Sequence, residues 1–256
     1  MSDPVFFIEP AAIADCAVGD VVQVSGPEAR HAVGVVRLGT DERIDLVDGR
    51  GRRVIGRVAA ASASDDLQVR VDRIVDEPEP QPRIVVVQAL PKGDHGELAV
   101  DLMTQAGVDV IVPWAAQHCV AVWRADKAAK GRGKWVAAAE RAAKQSRRAR
   151  VPEVAGLVSI EGVRALVSGA AQAIVLHESA TVSITDIPLT AVGDIVLVVG
   201  PEGGLAPRER EELAAVGAQE ALLGPHVLRS SFAGAAAAIA VASRGRWAAW
   251  EDAGHE

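Results

Sequence analysis

The stretch that decides the fold runs from residue 194 to residue 217 and reads DIVLVVGPEGGLAPREREELAAVG. It begins with an almost continuous apolar run, which is typical of a strand buried on both faces of a parallel sheet. A glycine-rich loop follows. From about Pro207 the sequence favours a helix, because proline suits a first turn and the acids Glu209 and Glu211 complement the positive end of the helix dipole. Strand, loop and helix in this order predict one unit of an α/β fold.

The same alternation extends to both sides of this stretch. Further apolar strands are predicted at residues 83–90, 108–114, 173–177 and 219–224, and helices at 96–107, about 125–149 and about 230–249. Because these strands are apolar throughout rather than half-polar, we expect a mostly parallel sheet with helices on both of its faces.

The first third of the chain has a different pattern. Short alternating runs predict strands at residues 5–9, 21–24, 43–49, 52–60 and 66–75, and the Asp48-Gly49 pair is a hairpin signal. Residues 27–37 favour a short helix that starts near Pro27. The segment DEPEPQPR, residues 76–83, suits a semi-rigid spacer. We therefore predict a small β-barrel domain over 1–75, a linker over 76–83 and an α/β domain over 84–256.

The composition narrows the possible functions. The 256 residues include only two cysteines, Cys16 and Cys119, which are far apart in the sequence. This argues against a disulfide framework or a metal site and favours a reducing cytoplasm. No apolar run approaches the roughly 20 residues of a membrane span, and residues 1–10 lack the basic start of a signal peptide.

The charge is distributed unevenly along the chain. The net charge is −7, yet residues 124–150 contain ten lysines and arginines against two acids. Phosphate contacts need cations, so this segment is a candidate polyanion-binding surface. A solvated helix face would explain the same charges. The composition alone leaves both interpretations open.

Three predicted strands end in unusual loops: LHES at 176–179, GPEGG at 200–204 and LGPHVLRSS at 223–231. Ligands of open α/β sheets collect beyond the carboxyl ends of the strands. Glycines there allow close backbone approach, and Leu205, Val227 and Leu228 offer an apolar wall. Each loop taken alone is also explained as a tight turn before a helix. The loops match neither the P-loop pattern nor the dinucleotide fingerprint.

Taken in order, these loops resemble the 16S ribosomal RNA uracil-N3 methyltransferase family of SPOUT (trefoil-knotted) enzymes. The resemblance also covers QALPKGD, QAGVDVIVPW and AKQSRRARVPEV, and HAVGVVRLGTDERIDLVDG is similar to the PUA-like domain of that family. It implies a SPOUT-type, mostly parallel α/β sheet with a C-terminal trefoil knot formed by about residues 173–249. It further implies S-adenosylmethionine as the methyl donor, 16S ribosomal RNA of the small ribosomal subunit as the substrate, and a homodimer.

The resemblance also assigns roles to individual residues. Arg229, which directly follows the third loop, is the candidate to stabilise negative charge on the uracil ring, because a guanidinium is always charged and can donate to two acceptors. The donor contacts that the resemblance implies, most of them through backbone atoms, are Leu176, His177, Glu178, Val199, Gly200, Gly204, Leu223, Gly224, Val227, Leu228 and Ser230. The candidate RNA contacts are Arg30, His31, Arg37, Lys92, Gln145, Ser146, Arg147 and Arg150, with Arg208 as a further possibility.

The chain departs from the family pattern at several positions. Ser231 stands where the family commonly has an acid, Gln105 replaces another, and Gln117, His118 and Cys119 stand in place of E-R-S or E-R-C. No residue is a convincing general base, with His226 a weak candidate. Two other functions stay open: a SPOUT methyltransferase for another RNA nucleotide, and a non-catalytic RNA-binding or ribosome-assembly protein.

Overall fold

The computed structural model describes residues 3–61 and 66–247. The chain forms two compact units, Met1–Glu79 with Ala143–Val151, and Pro80–Ala142 with Pro152–Glu256. Residues 143–151 fall in the predicted second domain, but the structure assigns them to the first unit. The reason is packing, because buried Ala149 clusters with Val5 and Val47.

The first unit contains a five-stranded sheet in the order β1-β3-β4-β5-β2. Its strands are β1 (Val5–Phe7), β2 (Val21–Ser25), β3 (Arg43–Val47), β4 (Arg52–Ala61) and β5 (Asp66–Asp76). The β1–β3 pair is parallel and the other pairs are antiparallel. The hairpin predicted at Asp48-Gly49 joins β3 to β4, and the Asp48 carboxylate accepts backbone hydrogen bonds from Arg50 and Arg52.

Helical segments of the first unit are short. They are α1 (Pro10–Ile13) and α2 (Pro27–Arg30), and α2 continues into a π-helical turn, His31–Val36. The turn ends at Arg37, which adopts a left-handed conformation with φ 62°. The segment predicted as one helix over 27–37 is therefore a short α-helix followed by a π-helical turn. Alternate side chains of the strands, including Val22, Ile44 and Leu67, form the core of this unit.

The second unit contains a six-stranded sheet in the order β11-β9-β10-β6-β7-β8, and every strand pair in it is parallel. Its strands are β6 (Arg83–Ala89), β7 (Val110–Trp114), β8 (Glu153–Val154), β9 (Gln172–Leu176), β10 (Asp194–Val199) and β11 (Gln219–Ala221). The predicted parallel α/β sheet is confirmed.

Within residues 66–247, five α-helices accompany this sheet: α3 (His95–Gln105), α4 (Ala125–Gln145), α5 (Ile160–Gly169), α6 (Pro207–Ala215) and α7 (Ser230–Ala242). The last residues of α4 belong to the first unit. A short 3-10 helix, Ile184–Asp186, precedes β10. The arginine Arg244, just beyond α7, donates hydrogen bonds to the carbonyls of Ile184 and Ile187.

Close packing brings α7 against the sheet. A Cβ atom at Gly234 would lie 2.9 Å from Met103 Sδ and 3.1 Å from Val86 Cγ1, so no larger residue fits at that position without displacement. The alanine-rich helix therefore sits directly on β6 and α3. This contact holds Ser230, the first residue of α7, near the carboxyl ends of the strands.

Several predicted boundaries differ from the observed ones. The helix predicted to reach residue 149 ends at Gln145, because Arg147 is left-handed with φ 58° and its carbonyl accepts a hydrogen bond from Arg53. The last helix ends at Ala242 rather than near 249, and residues 248 and 249 lie outside the described residues. The strand predicted over 219–224 ends at Ala221. The trefoil knot stays a prediction.

Candidate functional site

A cavity of about 470 Å³ opens at the carboxyl ends of β9, β10 and β11. In the sheet, β9 lies between β11 and β10 and is parallel to both. The loops that follow these strands therefore emerge at the same edge of the sheet. The lining contains every predicted donor contact, namely Leu176, His177, Glu178, Val199, Gly200, Gly204, Leu223, Gly224, Val227, Leu228 and Ser230, together with Arg229. The structure therefore brings these residues together, while their roles stay predictions.

The first loop is anchored by hydrogen bonds and an ion pair. The backbone N–H of His177 donates to the carbonyl of Ala221 at 3.1 Å. The guanidinium of Arg210 donates to Ser179 Oγ at 3.4 Å and to both carboxylate oxygens of Glu220, at 2.6 and 2.7 Å. This pairing lowers the pKa of the Glu220 carboxyl and raises the pKa of the Arg210 guanidinium. The loop is thus tied to α6 and β11.

The second loop turns tightly around its glycines. Gly204 has φ +72°, a left-handed conformation that side chains rarely adopt, and its N–H donates to the carbonyl of Pro201 at 2.9 Å. A Cβ atom at Gly203 would lie 3.1 Å from the Cβ of His118. His118 Nδ1 is 3.2 Å from the carbonyl oxygen of Gly204 and, because a carbonyl only accepts, it carries the proton of this bond.

A buried carboxylate supports the second loop from behind. Glu209 is only 7% exposed. Its carboxylate accepts the backbone N–H groups of Gln117 at 2.7 Å and Ala206 at 2.9 Å. The sequence explained Glu209 only as a favourable charge in a first helical turn. The sequence does contain a capping signal, since an acid three residues after a helix N-cap can accept the N-cap N–H. Only the structure shows that Glu209 also accepts the N–H of residue 117.

Residues 117–119, where the resemblance leads us to expect E-R-S or E-R-C, lie against the second loop. Burial raises the pKa of the Cys119 thiol. Ser231, where the resemblance leads us to expect an acid, is 3% exposed on the buried side of α7. Ser231 is not among the described residues that line the cavity. Position 231 therefore lies next to the cavity rather than in its wall.

Charged groups of both signs line the cavity. Glu178, Glu202 and Arg229 are all exposed. Arg229 occupies the N-cap position of α7, and its guanidinium makes no hydrogen bond or ion pair with residues 3–61 or 66–247. Glu202 accepts the backbone N–H of Lys92 at 3.3 Å. The arrangement can hold a positively charged ligand near two carboxylates and stabilise an anion near one guanidinium.

The predicted RNA contacts are distributed over both units. Arg30, Arg37, Lys92, Gln145 and Arg147 are exposed, whereas His31, Ser146 and Arg150 are half-buried. The His31 ring packs at 5.9 Å from Phe6. Arg150 lies over Gly51, and its guanidinium donates to the carbonyl of Glu77. Arg150 thus serves the packing of the first unit, and its predicted role in RNA binding stays untested.

A row of lysines on α4 was not singled out from the sequence. Lys127, Lys130 and Lys134 are exposed. Their spacing of three and four residues places them on one face of the helix. Only Lys134 is paired in the described part of the chain, at 3.5 Å from Glu97. This spacing was the available signal, and we call these three residues the lysine row.

Two other kinds of feature are absent from the described residues. Within residues 3–61 and 66–247, no three His, Cys, Asp or Glu side chains come together as a metal site would require. Among the helices in the same ranges, none has the length and apolar character needed to cross a membrane.

The chain matches two known domain families. An RNA methyltransferase domain matches residues 77–242, and an RNA methyltransferase PUA domain matches residues 24–72. Among curated proteins, the ribosomal RNA small subunit methyltransferase E of Mycobacterium tuberculosis is 44% identical over 87% of this chain and 86% of its own length. The protein of the same name from Bacillus subtilis is 27% identical over 82% of this chain and 85% of its own length.

A solved structure shares the fold. It is the ribosomal RNA small subunit methyltransferase E from Neisseria gonorrhoeae, bound to S-adenosyl methionine. It superimposes with a TM-score of 0.79 at 24% identity, covering 95% of this chain and 98% of that chain.

Proposed function

The chain belongs to the ribosomal RNA small subunit methyltransferase E family, and from this premise we propose that it transfers a methyl group from S-adenosylmethionine to N3 of a specific uridine in 16S ribosomal RNA. One observation carries the proposal. Three strand-end loops, at residues 176–179, 200–204 and 223–231, converge on a single cavity that Arg229 also lines. We propose further that the reaction takes place in the cytoplasm, where the reduced state of Cys16 and Cys119 is maintained.

The residues around the cavity fit the donor. A volume of about 470 Å³ lies within the usual range of small-molecule sites. Leu176, Leu205 and Leu228 provide apolar surface for a flat ring, and the carboxylates of Glu178 and Glu202 suit the donor's positive groups. When bound, the donor supplies a methyl group attached to a positively charged sulfur.

Arg229 suits the electrostatic part of the reaction. Uracil N3 becomes a nucleophile only after it loses its proton, and the resulting negative charge spreads to the ring carbonyls. A guanidinium is always charged and can donate to two acceptors at once. Because Arg229 has no internal partner among the described residues, it is available to stabilise this charge.

The RNA must expose the target base. N3 lies on the Watson–Crick edge, so the uridine has to be unpaired or turned out of its stack. The match to an RNA methyltransferase PUA domain supports RNA contact by the first unit, where Arg30 and Arg37 are exposed. The lysine row on α4 offers a second set of phosphate contacts.

A homodimer and a C-terminal trefoil knot are part of the same proposal. The dimer is supported by α7, on which Phe232 is 43% exposed and Ile239 is 42% exposed. They are seven residues apart and so share one face of the helix. Sedimentation should show that F232E/I239E is a monomer, whereas L98E, at an equally exposed leucine on α3, leaves the dimer intact. A wild-type monomer would refute the dimer.

The decisive experiment is methylation of 16S ribosomal RNA and of small ribosomal subunits with labelled donor, followed by mass mapping of the product nucleoside. We expect 3-methyluridine at a single position. A different methylated nucleoside would assign the enzyme to another target. Absence of donor binding in calorimetry, together with intact RNA binding, would instead indicate a non-catalytic RNA-binding protein.

A further inference from the structure

Gln88 is a polar residue in an otherwise apolar strand. It lies near the carboxyl end of β6, in the run RIVVVQA, and its relative exposure is 0%. Its Nε2 donates to Ser230 Oγ and to the carbonyl of Ala89, both at 3.0 Å. Its Oε1 is buried and has no hydrogen-bond partner within the described residues. Such a group needs an explanation, because buried polar atoms are almost always paired.

The contacts fix the orientation of the amide. If the amide were rotated by half a turn, Oε1 would face the carbonyl oxygen of Ala89, and two acceptors would oppose each other. The group facing Ser230 is therefore the NH₂, and the hydrogen bond runs from Gln88 to the hydroxyl oxygen.

This direction determines what the hydroxyl of Ser230 can do. Ser230 Oγ accepts from Gln88, so its single proton is free to donate, and it donates to the carbonyl of Gly200 at 2.7 Å. Gly200 follows β10, and Ser230 begins α7. Both residues line the cavity, whereas Gln88 is not among the described residues that line it. The Ser230–Gly200 bond thus joins two cavity loops directly, and Gln88, which does not line the cavity, donates to the hydroxyl that makes this bond.

Stability does not account for this glutamine. The unpaired Oε1 destabilises the folded state and offsets the two hydrogen bonds that Nε2 donates, whereas an apolar side chain of similar length has neither effect. Methionine has nearly the same length as glutamine, is unbranched and packs well in irregular spaces. We therefore expect the side-chain amide of Gln88 to contribute to the function of the neighbouring cavity rather than to the stability of the fold.

We propose that Gln88 is a positioning residue of the donor pocket, which acts through Ser230 to fix the carbonyl of Gly200 and so sets the affinity for S-adenosylmethionine. The inference rests on the proposed function, because it takes the cavity to be the donor site. It also revises the expected role of Ser230, whose hydroxyl joins two loops rather than being free for the ligand.

The test is calorimetric titration of the full-length protein with S-adenosylmethionine. Q88M should bind the donor about tenfold more weakly, a change of about 1.4 kcal/mol, while its melting temperature without donor stays close to that of the wild type. In turnover, KM for the donor should rise and kcat at saturating donor should be retained. S230A should lose a similar factor, and Q88M/S230A should lose no more than either single variant, because the residues act as a unit.

A matched control is T104V. Thr104 is equally buried, and its hydroxyl donates to the carbonyl of Val100 within α3. Its donor affinity should stay within twofold of the wild type. If Q88M binds the donor as the wild type does, or if the double variant shows additive losses, the inference is wrong. If the wild type itself binds no donor, the proposed function fails instead, so the two failures are distinguishable.

Discussion

Glu209 joins Gln117 to the start of α6, although the two residues are 92 positions apart in the sequence. One oxygen of its buried carboxylate accepts the N–H of Gln117, and the other accepts the N–H of Ala206. We expect Glu209→Gln to lower the free energy of unfolding by about 1–3 kcal/mol, because an amide NH₂ would then face a buried N–H donor that loses its acceptor. Urea unfolding measures this change.

The control for this substitution lies on the same helix. Glu211 is exposed, so Glu211→Gln should change the unfolding free energy by less than about 0.5 kcal/mol. Equal effects of the two substitutions would show that Glu209 contributes only as a charge in the first turn of α6.

The sheet could be predicted because its strands are apolar without interruption. The runs that became β6 and β10 contain few polar residues, and such runs are buried on both faces. Helix α5 was not predicted, although Val163 and Val167 at four-residue spacing are its buried face. The end of α4 could not be predicted, since the left-handed Arg147 is held by a contact to Arg53 from a distant strand.

The candidate site was predictable only in part. Its loops were visible because glycine and proline directly follow apolar strands, and topology requires those ends to meet. Gln88 and Glu209 were not visible as supports of the site. Their partners Ser230 and Gln117 are 142 and 92 residues away, and no local pattern encodes such pairings.

Arg229→Ala tests the catalytic assignment. The guanidinium stabilises charge that develops only during the reaction, so its removal should lower kcat by about 10²–10³. Donor affinity in calorimetry should change by less than about threefold. Arg164→Ala is the control, because Arg164 lies on α5, is 44% exposed and is paired with Glu212. A kcat for Arg229→Ala equal to that of the control would remove Arg229 from the mechanism.

The lysine row can be tested by the salt dependence of RNA binding. Each phosphate contact contributes about 0.9 to the slope of log K against log salt for duplexes and about 0.7 for single strands. Replacing Lys127, Lys130 and Lys134 together by glutamine should reduce the slope by about two and weaken binding most at low salt. Donor affinity should not change.

Arginine at the same three positions provides the matched control for the lysine row. It preserves charge, so the triple arginine variant should keep the wild-type slope. An unchanged slope in the triple glutamine variant would identify the row as a solvated helix face, the alternative that the sequence left open.

The ion pair between Glu220 and Arg210 predicts a dependence of stability on pH. The hydrogen bond from Arg210 lowers the pKa of Glu220 from its ordinary 4.5 in the folded protein. The pair therefore stabilises the fold fully above that value, and its contribution is lost as pH falls through the lower folded-state pKa. Both side chains are partly exposed, at 31% and 28%, so we expect about 1 kcal/mol or less.

Glu220→Gln removes this contribution. The difference in unfolding free energy between wild type and Glu220→Gln should be constant from about pH 7 to about pH 5 and should shrink below about pH 4.5, as urea titrations at several pH values would show. Arg210→Gln should abolish the same pH dependence, because its hydrogen bond is the main cause of the lowered pKa. A difference that grows as the pH falls would mean that burial of Glu220, which raises its pKa, outweighs the ion pair.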